Sequence, residues 1–297
     1  MVIVRQRQVK GRIYYYLEHT FRIKSKVVKK ELYLGKVLPK NVEELKKRFL
    51  HELYKEKWYG VFDKVKEQYA KELKNTPPSA LLEEQKKFSI RFTYDTQRIE
   101  GSKLTLRETT DLLEKGISPR AKPMSDAKEA QAHQKVWEEM FKTQKELSLQ
   151  PILYWHKQLF KDSKPDIGGK IRQHRVGISG SKFAPPLPVE LYPLLDDFFR
   201  WYAKNKGVLH SVELAALVHL RFVTIHPFAD GNGRLSRLLM NLVLCRKGYP
   251  PLNIQYEGRS SYYHALERSQ IKNNDAIFVQ WFFKRYAKEC QSFTKRN

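Results

Sequence analysis

His226-Pro227-Phe228-Ala229-Asp230-Gly231-Asn232-Gly233-Arg234-Leu235-Ser236-Arg237 is the stretch on which the reading of this chain turns. An apolar run through Leu214-Ala215-Ala216-Leu217-Val218 reads as a helix ending near Ile225, and Pro227 opposes its continuation because proline has no amide donor. Leu235, Leu238, Leu239 and Leu242 then recur at helical spacing, so a second helix starts at about Gly233. The tight loop between them holds Asp230-Gly231-Asn232-Gly233, where glycine lets backbone turn sharply and approach a ligand. Amides at a helix start, aided by the helix dipole, make an anion cradle. Arg234 and Arg237, three apart on the new helix, can reach one anion together. His226 stands just before the loop, where a neutral imidazole can take a proton from a hydroxyl. Asp230 supplies a hard oxygen suited to Mg²⁺ held against phosphates. A DGNG turn, one histidine or two arginines would each be ordinary. Their order between two helices points to a phosphate-handling site.

Outward from this loop the chain reads as mostly helical. Segments at about 80–100, 105–116, 125–146, 149–160, 189–205, 211–225, 233–247, 259–271 and 275–292 have helical patterning. Residues 172–180, RQHRVGISG, alternate polar and apolar side chains before Gly180-Ser181 and Pro185-Pro186, and are expected to form a short β-hairpin or extended flap. Residues 2–9, 13–20 and 27–34 are rich in Val, Ile, Tyr and Thr, with Gly11 and residues 24–26 between them, and read as an antiparallel meander. A helix from Val42 to about Asn75 follows, with Gly60 as a potential break and Pro77-Pro78 as its stop. The expected division is therefore 1–78, meander plus helix, and 79–297, a helical domain.

The chain has 297 residues and a formal net charge of +24, of which residues 1–40 contribute +9. Such a surface concentrates anions and suits nucleic acid, yet no helix-turn-helix signature accompanies it. Nucleic-acid binding therefore stays as an alternative partner class. No run approaches eighteen uninterrupted apolar residues, so no membrane-spanning helix is expected. MVIVRQRQVK has no apolar signal core behind its basic residues, which makes the cytoplasm the expected compartment. Cys245 and Cys290 form no CxxC pair and lie in apolar-periodic segments, as buried structural thiols do.

HPFADGNGRLSR resembles the signature of Fic proteins, His-Pro-Phe-x-Asp/Glu-Gly-Asn-Gly-Arg-x-x-Arg, at every defined position. The resemblance runs from about Phe88 to Trp281. It implies a Fic-type helical domain with a β-hairpin flap, and an enzyme that moves AMP from ATP to a Ser, Thr or Tyr hydroxyl of a target protein. His226 would be the general base. Asp230 would hold Mg²⁺ at the α- and β-phosphates. Gly231, Asn232 and Gly233 would cradle phosphate oxygens, and Arg234 and Arg237 the outer phosphates. The segment from Gly168 through Lys170, Ile171 and Arg172 to Pro186 resembles the flap that aligns a target strand, with Ser181 and Lys182 near the nucleotide. Tyr262 and Tyr263 stand where relatives border the adenine pocket, although core packing explains them as readily. Gln270 takes the place of an Asn that contacts the base in some relatives.

Residues 88–105, FSIRFTYDTQRIEGSKLT, carry a second pattern. Thr96 and Glu100 share a helix face, and Gly101 suits a left-handed helix end. This resembles the Fic inhibitory motif Ser/Thr-x-x-x-Glu-Gly/Asn, in which the Glu pairs with the second signature Arg, here Arg237. A guanidinium gripping a carboxylate can hardly grip a γ-phosphate as well. The resemblance thus implies an auto-inhibited adenylyltransferase. Removal of AMP by the same site is the alternative direction, and a homodimer is an arrangement that some relatives adopt.

Overall fold

The computed structural model describes residues 2–23, 26–143 and 145–295. The chain divides into two compact units, Met1–Lys64 and Val65–Asn297.

In the first unit, β1 (Ile3–Val9), β2 (Arg12–Ile23) and β3 (Lys26–Gly35) form an antiparallel meander in the order β1-β2-β3. Val9 pairs with Arg12 across a two-residue turn in which Lys10 and Gly11 both have positive φ, the geometry that matches strand twist. The expected break at Lys24-Ser25 lies outside the described residues. Leu17 is fully buried, while Tyr14, Tyr16 and Tyr33 cluster on the other side of the pleat with Arg7 over the Tyr16 ring. Helix α1 (Val42–Tyr54) runs into a π-helical turn, Lys55–Tyr59, and α2 (Gly60–Asn75) begins at Gly60. The helical irregularity thus lies in the turn before the glycine.

The second unit is helical. Pro78 opens α3 (Pro78–Ile99) at a position where its missing amide costs nothing. There follow α4 (Leu106–Lys115), α5 (Met124–Lys142), α6 (Leu149–Phe160), α7 (Leu191–Asn205), α8 (Ser211–Ile225), α9 (Asn232–Arg246), α10 (Arg259–Ile271) and α11 (Asp275–Glu289). Helices α8 and α9 are buried on nearly every side and pack on each other at the centre. Helices α7 and α11 cover α8, while α3 and α5 cover α9. The loop joining α8 to α9 is the 226–231 stretch, so the motif sits on the two best-packed helices of the unit. No described helix is long and apolar enough to cross a membrane. Cys290 is buried, and Cys245 is only half-buried.

The expected β-hairpin in the flap is not formed: residues 172–187 carry no strand pairing. The reason lies in one side chain. Arg172 donates from Nη1 to His174 O at 3.0 Å and from Nη2 to Pro186 O at 2.6 Å. A guanidinium thus ties the two ends of the segment together in place of a ladder. Pro185 and Pro186 offer no amide for one.

Candidate active site

Helix α8 ends as His226 turns into the left-handed region, φ +52°. Its Nδ1 lies 3.1 Å from Val223 O, a carbonyl that can only accept. The proton therefore belongs on Nδ1, and Nε2 carries the lone pair. Burial lowers the His226 pKa, and Arg172 adds to the shift, against the opposing pull of Val223 O, Glu100 and Asp230. Arg172 touches His226 directly, donating from Nε to its carbonyl at 2.8 Å, and the Arg172 amide bonds Pro227 O at 3.0 Å. The flap is thus fastened to the backbone of the histidine that it flanks.

The loop is held from beneath by His156 of α6. Gly169 N donates to His156 Nδ1 at 2.9 Å, so the ring proton sits on Nε2 and donates to Asp230 O at 2.9 Å. Burial lowers this imidazole to about 4, so it stays neutral, and its ring stacks on Phe228 at 3.7 Å. Asn232 spends its side chain on the loop itself: Phe228 N donates to Oδ1 at 2.9 Å, and Nδ2 donates to Phe228 O at 2.8 Å. What Asn232 offers an anion is its backbone amide at the start of α9. Gly231 has φ +84°, and a Cβ there would strike the Phe160 ring. A Cβ at Gly233 would strike the Glu100 carboxylate. Close approach therefore sets both glycines, and Gly231 alone also needs its left-handed turn.

Three cations and three carboxylates interlock over this loop. Arg237, 1% exposed, donates from Nη2 to Glu100 Oε1 at 2.5 Å and from Nη1 to Tyr262 Oη at 3.3 Å. Its Nε donates to Thr96 Oγ1 at 3.3 Å, and its Nη2 also reaches Thr96 O at 3.3 Å. Burial alone would lower the Arg237 pKa, but Glu100 outweighs it and the net shift is upward. Arg234, 3% exposed, pairs with Glu129 of α5 and with Asp230 Oδ1 at 2.7 Å. Asp230 Oδ2 takes Lys164 Nζ at 2.6 Å, and Lys164 also reaches Glu129 Oε1 at 3.2 Å. Burial pushes the Asp230 carboxyl up, yet Arg234 and Lys164 outweigh it and hold it well below the usual range.

The remaining sequence-predicted residues take clear positions. Tyr262 is buried, its hydroxyl between Arg237 and His219 Nε2, the latter at 3.0 Å. Tyr263 is half-exposed and donates to Ile99 O at 2.7 Å, at the last turn of α3. Gln270 donates to Thr224 Oγ1 at 3.1 Å, two residues before His226. Ser181 and Lys182 dock on α10 through Glu267, with the Lys182 amide at 2.6 Å and the Ser181 hydroxyl at 3.3 Å. Sequence reading missed Glu129, Lys164, His156, His219 and Gln97, which bridges Glu129 O and Arg234. None of them carries a local pattern; only the packing of α3, α5, α6, the turn after α6 and α8 around the loop brings them in. Among the described residues no three His, Cys, Asp or Glu side chains gather as a metal cage. A single ionised carboxylate beside a phosphate cradle suits Mg²⁺, which keeps water and phosphate oxygens in its shell.

Residues 146–244 match the model of the Fic/DOC family. The chain is 36% identical over 193 residues to the protein adenylyltransferase Fic of Drosophila ananassae, covering 64% of this chain and 38% of that protein. It thus spans under two fifths of that relative's length. A crystal structure of a Fic-domain-containing signaling protein from Bacteroides thetaiotaomicron superposes with a TM-score of 0.70 at 28% identity, covering 78% of this chain and 96% of that one. Fic-1 of C. elegans, residues 134–508, shares the fold with a TM-score of 0.72 at 24% identity, over 86% of this chain and 78% of that one. Residues 146–244, which carry the 226–237 loop, thus match a Fic/DOC domain, and the helical body around them resembles solved Fic-domain structures.

Proposed function

We propose that this protein is an adenylyltransferase that moves AMP from ATP to a hydroxyl of a target protein and is held at rest by Glu100. The observation that carries the reading is the state of His226. Its Nδ1 faces Val223 O, which leaves Nε2 as the acceptor, and burial keeps the ring neutral. Such an imidazole can act as a base without first losing a proton. In the transfer, the target hydroxyl gives its proton to His226 Nε2 as its oxygen bonds the α-phosphorus. The bond from that phosphorus to the bridging oxygen breaks, and diphosphate leaves. The amides of Asn232 to Arg234 at the start of α9 would face the charge that develops, while the Gly231 amide is spent on Asp230 Oδ1. Mg²⁺, held by Asp230, would neutralise the diphosphate.

The contact of Arg237 with Glu100 supports the resting state. Arg237 holds the signature position that the resemblance assigns to the outer phosphates, and it is already gripping a carboxylate. The Glu100 carboxylate also lies over Gly233, on the cradle itself. The decisive experiment incubates wild type, Glu100→Gly and His226→Ala with labelled ATP and Mg²⁺, and counts AMP on protein by mass spectrometry. Glu100→Gly is expected to raise labelling roughly ten- to a hundredfold, the scale of one hydrogen bond to a charged group. His226→Ala in the same background is expected to lose about a hundredfold or more. Labelling by Glu100→Gly no faster than wild type would sink the brake. The Glu100 carboxylate on the cradle also suits a water-directed reverse reaction, and AMP release from AMPylated protein by wild type but not by Glu100→Gly would show it.

A further inference from the structure

Lys164 lies outside the 226–237 loop and is not part of the transfer step above, yet it is bonded into its centre. Its backbone is fixed: the Lys164 amide donates to Phe160 O at 2.8 Å, and its carbonyl accepts from Ile167 N and Gly168 N, each at 3.2 Å. From that anchor the side chain reaches over the Phe160 ring to place Nζ 2.6 Å from Asp230 Oδ2. The other Asp230 oxygen is occupied by Arg234 Nη2 at 2.7 Å and by Gly231 N at 2.5 Å. Oδ2 is therefore the oxygen left for a metal ion, and an ammonium sits on it.

The charges make the consequence plain. Arg234, Arg237 and Lys164 meet Glu100, Glu129 and Asp230 in direct ion pairs, three against three. A divalent cation added at Asp230 would face Lys164 at close range, and the two like charges would repel each other across the one carboxylate oxygen for which they compete. Glu129 Oε1, 3.2 Å from the same ammonium, offers it a second partner after a short swing. We propose that Lys164 holds the cation position at Asp230 in the resting site, and must leave it before a divalent metal ion binds. Lys164 is then a positioning residue that sets metal affinity, a second threshold beside Glu100. The inference rests on the reading of Asp230 as the metal ligand.

The test uses Mn²⁺ alone on the full chain, with free Mn²⁺ followed by electron paramagnetic resonance and no nucleotide present. Lys164→Gln is expected to bind Mn²⁺ roughly two- to fivefold more tightly than wild type, the worth of a half-exposed ion pair. Lys164→Arg should match wild type, because it keeps the competing charge. Asp230→Asn in the Lys164→Gln background should erase the gain. Thermal midpoints of all variants report folding. Equal or weaker Mn²⁺ binding by a folded Lys164→Gln overturns the proposal, as does a gain that survives Asp230→Asn. A parallel titration with a non-hydrolysable ATP analogue in EDTA separates two further cases. Weaker analogue binding by Lys164→Gln with unchanged Mn²⁺ binding would make Lys164 a phosphate ligand and overturn the proposal. An analogue that binds no variant would count against the nucleotide reading, while the Mn²⁺ comparison still decides Lys164.

Discussion

His226 shows how one residue's chemistry is written partly in its neighbours. Its place before Asp230-Gly231-Asn232-Gly233 was readable in the sequence, because Pro227 and the glycines bracket it. Its tautomer was not, since the carbonyl that sets it belongs to Val223 of the preceding helical turn. The lowered pKa gives a sign that can be checked. A base with a depressed pKa stays unprotonated to lower pH, so activity falls only when pH drops below that value. In the Glu100→Gly background, the acid limb of kcat/KM is expected to have its midpoint below 6.5, the ordinary histidine value. Replacing Arg172, whose positive charge helps to lower it, with Met should move that midpoint upward. A midpoint at or above 6.5 in the unaltered Arg172 background would remove His226 as the titrating base. Arg234 teaches a complementary point. Its i, i+3 spacing with Arg237 suggested a shared anion, and the inhibitory motif implied a carboxylate partner for Arg237 alone, whereas Arg234 is buried in ion pairs of its own with Glu129 and Asp230.

At the scale of elements, α3 is the moving part that the proposed brake requires, and its fastenings are unequal. Asp95, fully buried, accepts from Arg91 Nε at 2.8 Å, Asn253 Nδ2 at 2.6 Å and Tyr256 N at 3.0 Å. Tyr263 holds the last turn by a single bond to Ile99 O. Asp95→Ala strips a buried acceptor from three donors and is expected to cost about 2–3 kcal/mol in chemical denaturation. Tyr263→Phe removes one neutral hydrogen bond at a half-exposed position, and should change stability by about 1 kcal/mol or less. If the end of α3 is the latch, Tyr263→Phe should still raise self-labelling, by less than Glu100→Gly does. Labelling that rises with Asp95→Ala but not with Tyr263→Phe would move the latch from the helix end to its middle. The flap argues from the other side. Alternation in residues 172–180 suggested a hairpin, but alternation cannot foresee that Arg172 takes the carbonyls of His174 and Pro186.

Across the whole molecule, the helical unit buries histidines that must stay neutral. His133 is fully buried, its Nδ1 2.9 Å from Thr93 Oγ1, and burial lowers it to about 3, with Arg237 and Arg234 adding to the shift. His156 is lowered to about 4, mainly by burial. An unfolded chain protonates such rings near 6.5, so it binds more protons than the folded chain below that pH. Their contribution is whole above pH 6.5 and is lost as pH falls through 4 and then 3. The melting temperature is therefore expected to decline from pH 6.5 to pH 4, and less steeply in His156→Gln; a flat profile over that window would contradict the assignment. The helix-loop-helix that carries the candidate site, the placing of His226, Asp230 and Arg237 along it, and the helix face shared by Thr96 and Glu100 are all legible along the chain. These are local properties, set by periodicity, proline, glycine and spacing along one chain segment. The grip of Glu100 on Arg237, implied by the motif, takes its geometry from packing, and packing by itself brings Glu129 to Arg234 and Lys164 to Asp230. Those partners are 66 to 137 residues apart along the chain, so no local pattern pairs them, and they meet because helix packing brings their segments together.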